Sequence, residues 1–121
     1  MVFGGFGNRL YNNRFLTYNA SEDRWDTLHF EGDNIAPRFY SSMVSSGKGN
    51  YLYIYGGVGN ESGDQSIGHD YYNDLYGVDL ERRTIKKYWS HPIEEKRVPS
   101  EQMILSEDEK SLYTIRYAEY I

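Results

Sequence analysis

Histidines are the first side chains to consider for metal or acid–base chemistry, and their spacing argues against a metal site. His29, His69 and His91 lie far apart, with no second histidine two or four positions away. The chain also contains no cysteine. Because a metal site needs several ligands that converge on one point, the sequence predicts no metal centre.

Carboxylates are concentrated in one polar stretch, at Glu61, Asp64, Asp70 and Asp74. A calcium loop needs ligands at fixed alternating positions and a glycine at its sixth position. This stretch does not have that pattern, so a solvated polar loop is the expected structure.

Two glycine triplets, Gly5-Phe6-Gly7 and Gly57-Val58-Gly59, have the first two glycines of a dinucleotide-binding loop. Both lack the third glycine, and no helical pattern follows to offer its N-terminus to a phosphate. The sequence contains no Gly-x-Ser-x-Gly nucleophile motif either. We therefore predict no catalytic residues and no cofactor.

The elements that position these side chains are expected to be strands. The chain has 17% aromatic residues, with 13 tyrosines, and 12 glycines against 3 prolines. Tyrosine combines a broad apolar ring with a hydroxyl that tolerates water, which suits half-covered strands. Since no segment has a 3.6-residue apolar period of helical length, the sequence predicts an all-β fold of antiparallel strands.

Charge and hydropathy exclude two classes of partner. The formal net charge is −5 and no basic patch is visible, so we predict no nucleic-acid binding. No apolar run approaches the roughly 18 residues of a membrane span. The cellular compartment stays open, because the lack of cysteine does not decide it.

The chain repeats itself, which is the strongest signal in the sequence. The pair Gly4-Gly5 returns as Gly56-Gly57, 52 positions later. Each pair is followed by an aromatic strand-like run, a polar turn and a second strand-like run. In the second copy Ile85 stands where the first has Trp25. A weaker third copy begins near Pro99 and has no diglycine.

This order of strand, diglycine, aromatic strand, turn and tryptophan strand resembles the kelch repeat of β-propellers, of which the central domain of galactose oxidase is an example. The resemblance rests on Gly4, Gly5, Tyr18, Trp25, Gly56, Gly57 and Tyr76. It implies four-stranded antiparallel blades, with strands a to d running outward from a central channel. Residues 1–30 would be strands b to d of one blade, residues 31–90 a complete blade, and residues 91–121 strands a and b of a third.

A complete propeller has roughly four to eight blades, so the resemblance implies an incomplete propeller that is part of a longer protein. Unpaired edges and exposed aromatic residues such as Tyr113 and Tyr117 would then favour self-association. One such arrangement would have Gln102 to Leu105 supply strand a to the first blade of another copy.

The resemblance favours a non-catalytic binding module that presents loops to a protein or glycan. The alternative is a fragment of a carbohydrate-active propeller enzyme whose catalytic residues lie in other blades. Some kelch-type propellers are copper oxidases with a cysteine-linked tyrosine, and this chain has no cysteine to supply that site.

Connectivity predicts where a ligand would bind. In a meander the connections alternate between the two ends of the strands. The long loops should therefore gather at one end: Phe6 to Arg14, Val58 to Tyr72, Glu31 to Pro37 and His91 to Arg97. There we expect Arg38, Asn8, Asn60, Glu61, Gln65 and His69 to contact a ligand. The competing expectation is that Arg38 only pairs with Glu31 or Asp33.

Overall fold

The chain folds into strands in the computed structural model, which describes residues 1–90 and 102–115. In this part of the chain a single 3-10 turn, Gln65–Ile67, interrupts the strands. The strands are β1 (Val2–Phe6), β2 (Tyr11–Asn19), β3 (Arg24–Leu28), β4 (Glu31–Gly32), β5 (Arg38–Phe39), β6 (Ser42–Ser45), β7 (Tyr51–Gly59), β8 (Asp70–Asp79), β9 (Thr84–Ser90), β10 (Gln102–Leu105) and β11 (Leu112–Ile115). The predicted all-β fold is confirmed.

Among the described residues, no helix is long and apolar enough to cross a membrane.

Three sheets form from these strands. The first has the order β1-β2-β3, and β10 pairs with β11 in another. In the large sheet, β5 and β6 both pair with β7, so together they are one strand at the edge of this sheet, broken at Tyr40 and Ser41. We call it the inner strand because β5 lies against the first sheet. Strands β7, β8 and β9 follow as antiparallel neighbours. Residues 38–90 therefore form a four-stranded antiparallel meander.

The connection from β3 to β5 departs from the predicted antiparallel pattern. β4 pairs with the start of β9 in parallel, with Glu31 opposite Thr84. Gly32 has a φ of 101°, and a Cβ there would collide with the Ile85 carbonyl, so glycine permits this close approach. The prediction of antiparallel strands throughout was wrong at β4, because the connection runs along the outer edge of the next sheet.

The core lies between the first sheet and one face of the large sheet. Leu52, Ile54, Tyr76 and Val78 alternate with residues of the opposite face along β7 and β8, and all four are buried. They form one cluster with Phe15 of β2 and Ile35 of the connection. Burial of such side chains contributes about 1.5–3 kcal/mol each, so this interface joins the two sheets firmly.

The two diglycines have the same local structure. Gly4 and Gly5 have φ values of 71° and 121°, and Gly56 and Gly57 have 66° and 108°. The strand pairing shifts register at both places. Each pair is therefore a β-bulge in a conformation that residues with a Cβ rarely adopt.

The strand register also aligns the two repeats downstream of the bulges. Tyr18 lies opposite Trp25 in the first sheet, and Val78 lies opposite Ile85 in the large sheet. Trp25 and Ile85 thus correspond, as the sequence indicated. Tyr76 lies two residues before Val78, so it corresponds to Leu16 and not to Tyr18.

The β10–β11 sheet contacts the large sheet through β10, which lies against β6, and through its turn. The Glu109 carboxylate accepts hydrogen bonds from the Ser46 hydroxyl and the Gly47 amide, both at 2.7 Å. Tyr113 is exposed. The sequence-based expectations for His91, for residues 91–101 and for Tyr117 lie outside the described residues, and self-association stays a prediction.

Replacing Gly57 by alanine tests the bulge. A Cβ there would lie 2.6 Å from the Ser41 hydroxyl and 2.8 Å from the Phe39 carbonyl, at a φ of 108°. The strained backbone alone should lower the free energy of unfolding by about 1–3 kcal/mol, measured by urea denaturation. Gly49 has nothing within 4 Å of its Cβ position, so Gly49→Ala is the matched control. Equal effects of the two substitutions would contradict the steric argument.

Candidate binding face

Two loops interlock at one end of the sheets. Residues 7–10 join β1 to β2, and residues 60–69 join β7 to β8. The Gln65 side-chain amide donates to the Gly7 carbonyl at 2.8 Å, and the Tyr11 amide donates to the Gly63 carbonyl at 2.8 Å. We call this end, with both loops, the long-loop face. The two loops that were predicted to share a face do share one.

The buried side chain of Asn60 stabilises the loop of residues 60–69. Its side-chain amide donates to the carbonyls of Asp64 at 2.8 Å and Gly68 at 2.7 Å, and the residue is buried. Asp64 then caps the 3-10 turn by accepting from the Ser66 amide and hydroxyl. These bonds, above all the one from the hydroxyl, lower the pKa of Asp64, so its carboxylate stays ionised. The loop is thus an ordered platform whose shape depends on Asn60.

Arg38 is buried beneath the loops, with only 1% of its surface exposed. Its guanidinium forms a bidentate ion pair with Asp74 at 2.6 and 3.0 Å, and also donates to the carbonyls of Ala36 and Gly56. The prediction that Arg38 pairs with Glu31 or Asp33 was wrong. The Asp33 carboxylate instead accepts a hydrogen bond from the Lys87 backbone amide. The guanidinium has no access to a ligand at the surface, so Arg38 supports the face from within.

Two tyrosines of β8 complete the surroundings of the ion pair. The Arg38 guanidinium carbon lies 3.9 Å from the centre of the Tyr72 ring and 5.6 Å from that of Tyr76. Burial raises the pKa of both the Tyr72 and the Tyr76 phenol to about 12. The negative charge of Asp74 raises the pKa of Tyr76 further, and the positive charge of Arg38 lowers the pKa of both phenols. Within the described residues the buried Tyr72 hydroxyl has no hydrogen-bond partner. The pair is therefore enclosed by aromatic rings.

An exposed aromatic cluster at this face was not predicted from the sequence. It consists of Phe6, Tyr11, Phe39 and Tyr40. Phe39 contacts the other three, with ring centres 5.1 Å from Phe6, 5.5 Å from Tyr11 and 4.7 Å from Tyr40. Tyr11 is buried, whereas Phe6 and Tyr40 are 63% and 67% exposed. The cluster thus has a buried base and two rings open to solvent.

Tyr40 owes its position to a kink in the inner strand. Its φ is 61°, a left-handed conformation that is unusual for a bulky residue. The next residue, Ser41, donates its hydroxyl to the Gly56 carbonyl at 2.9 Å. Because Gly57 has no side chain, Ser41 and the Phe39 carbonyl can come this close to β7. The diglycine bulge therefore makes room for the kink that exposes the Tyr40 ring.

The remaining predicted site residues lie on the long-loop face. Asn8, Glu61 and His69 are exposed, and the His69 ring contacts Tyr71 with centres 5.4 Å apart. The third predicted loop, Glu31 to Pro37, reaches this end only at Pro37, next to Gly59 and Gly63. Ile35 and Ala36 of that connection are buried. In residues 1–90 and 102–115, no group of three or more histidine, aspartate or glutamate side chains could hold a metal ion.

At the opposite end of the sheets the start of the β3–β5 connection is bound to the edge of β9, since the Glu31 amide donates to the Arg83 carbonyl at 2.9 Å. The other connections described at that end are tight turns. In two of them a side chain at the end of a strand caps the turn: Asn19 accepts from the amides of Ser21 and Glu22, and Asp79 from those of Glu81 and Arg82. Asp23 and Arg83 adopt matching left-handed φ values of 49° and 58°. These turns leave little variable surface, in contrast to the long-loop face.

No protein-family model matches the chain, and no curated protein matches it.

Removing Asp74 should strongly destabilise the fold, because it would leave the Arg38 charge buried without its partner. We expect Asp74→Ala to lower the free energy of unfolding by about 3–5 kcal/mol in urea denaturation. Asp26→Ala breaks an exposed pair with Arg24 and should cost no more than about 1 kcal/mol. The double variant Arg38→Met/Asp74→Ala should lose less than the sum of the single losses, and strict additivity would contradict a coupled pair.

The raised pKa values of Tyr72 and Tyr76 predict a loss of stability in alkali. Their phenols stay neutral in the folded protein to about pH 12, whereas in the unfolded chain they ionise near 10. Ionisation then favours the unfolded state, so their contribution is fully present below pH 10 and falls as pH rises from 10 to 12. Tyr76→Phe should show a shallower fall of the urea midpoint over this range, and an unchanged slope would contradict the assignment.

Proposed function

We propose that this chain is a non-catalytic binding module, part of a kelch-type β-propeller, and that its long-loop face binds a protein or glycan partner. The matching diglycine bulges support the kelch assignment, since two such units occur at corresponding positions of two successive sheets. The way the sheets meet supports it further. β1 and β2 lie against the inner strand segment β5, and β10 lies against β6. Edge strands β1, β5–β6 and β10 of the three sheets thus adjoin in chain order, as the inner strands of successive blades would around an axis.

The observation that carries the binding function is the difference between the two ends of the sheets. The long-loop face has interlocked loops, held by Gln65, Asn60 and the buried Arg38, with exposed aromatic rings beside them. Binding residues are commonly found on loops that a rigid scaffold positions. The other end has self-capped turns and the start of the β3–β5 connection, which is hydrogen-bonded along the edge of β9. We therefore assign binding to the long-loop face.

Screening the full chain on a peptide array and a glycan array would identify a ligand, whose affinity can then be compared across surface variants. Phe6→Ala, Glu61→Ala and His69→Ala alter exposed side chains of the long-loop face. At least one should weaken binding about tenfold, a loss of roughly 1.4 kcal/mol. Glu22→Ala, Lys48→Ala and Arg82→Ala are matched exposed changes at the turn end and should leave the affinity unchanged. Loss of binding only in the three turn-end variants would show that we have assigned binding to the wrong end of the sheets.

A further inference from the structure

We propose that three members of the aromatic cluster, Phe6, Phe39 and Tyr40, together with the neighbouring loop of residues 60–69, bind a proline-rich segment that carries arginine or lysine. This rests on the proposed function, because it specifies the partner of the same face. The segment would lie in the extended polyproline II conformation, which needs no internal hydrogen bonds and loses little entropy on docking.

The ring geometry favours proline over a flat ligand. The Phe39 ring is inclined by 41° to Phe6 and by 56° to Tyr40. Neighbouring rings at such angles form a ridged surface with troughs, whereas a sugar ring stacks best on one flat aromatic face. A pyrrolidine ring fits a trough between two inclined rings, and polyproline II segments dock in aromatic-lined grooves of this kind.

Charge complementarity favours a basic segment. The loop next to the cluster and the start of β8 carry Glu61, Asp64 and Asp70, while Arg9 is the basic residue of the shorter loop. The lowered pKa of Asp64 keeps that carboxylate charged. The whole chain has a formal net charge of −5. A cationic side chain is therefore attracted to this face and can also stack on an aromatic ring.

The left-handed backbone of Tyr40 is a second, independent observation that supports a binding role for this residue. A left-handed residue with a side chain costs about 1–2 kcal/mol relative to glycine, yet a tyrosine occupies this place. Tyr40 is 67% exposed, so burial of its side chain does little to offset that cost. Strain of this kind points to a function when it displays a side chain at a surface. The exposed Tyr40 hydroxyl can also donate to the free carbonyls of a polyproline II segment.

The left-handed backbone provides a variant that separates binding from folding. Tyr40→Gly removes the ring but suits a φ of 61°, so the protein should be as stable as the parent or more stable in urea denaturation. Its affinity for the segment should fall at least about tenfold, the loss expected for an aromatic anchor. Tyr40→Phe keeps the ring and should retain most of the affinity. Trp25→Ala removes an exposed aromatic residue of β3 and should have no effect.

The probe is a fluorescein-labelled synthetic peptide of repeated Arg-Pro-Pro units, titrated into the full chain and followed by fluorescence anisotropy. Peptides with alanine in place of proline, or glutamate in place of arginine, should bind at least about tenfold more weakly. Added salt should weaken the parent peptide's binding, because the attraction is partly electrostatic.

Three results would overturn the proposal. The first is no binding of the proline peptide, or equal binding of its alanine counterpart. The second is equal loss of affinity in Tyr40→Gly and Trp25→Ala. The third is Tyr40-dependent binding of the neutral sugar cellotetraose with none of the peptide. That last result would refute the partner class while leaving the long-loop face as the binding surface.

Discussion

The buried Arg38 side chain ties together the parts of the molecule on which the binding face depends. Its guanidinium connects the inner strand to Gly56 of β7 and Asp74 of β8, and its Nε donates to the Ala36 carbonyl of the incoming connection. Three stretches distant in sequence therefore meet at one cation. An arginine with so many fixed donors suits this place, whereas a lysine could not form the bidentate pair. The cost of burying the charges is offset only because each is paired and hydrogen-bonded.

The absence of a Cβ at the two glycine pairs is as important for the packing of the sheets as the side chains of the surrounding residues. A Cβ on Gly4 would lie 2.5 Å from the Arg38 carbonyl, and one on Gly57 would meet Ser41 and Phe39. The first glycine pair thus lets the next sheet approach, and the second lets the inner strand kink within its own sheet. Both contacts involve residues 38–41, so the bulges position the ion pair and the aromatic cluster together.

Several features were predictable from the sequence because they depend on local pattern. The strand positions followed from the aromatic runs that the chain repeats, and the shared end of residues 7–10 and 60–69 followed from meander connectivity. The partner of Arg38 was not predictable, because Asp74 lies 36 positions away and nothing local distinguishes it from Glu31 or Asp33. The role of Tyr40 was hidden for a similar reason. In Arg38-Phe39-Tyr40-Ser41 it looks like an ordinary strand residue, and only the approach of Ser41 to β7 turns it outward.

The parallel pairing of β4 with β9 has a consequence for how the chain acquires its structure. Glu31 pairs with Thr84 across an intervening segment that contains nearly the whole large sheet, so loop-closure entropy favours late formation of this contact, after that sheet has brought the two strands together. Until then the outer edge of β9 is open at Thr84 and Ile85, the two residues that β4 pairs with in the folded protein. An open strand edge is a template for intermolecular pairing. The connection that joins two sheets in the native protein thus also covers the first two residues of the β9 edge, and this cover forms late in folding although its residues precede β9 in the chain.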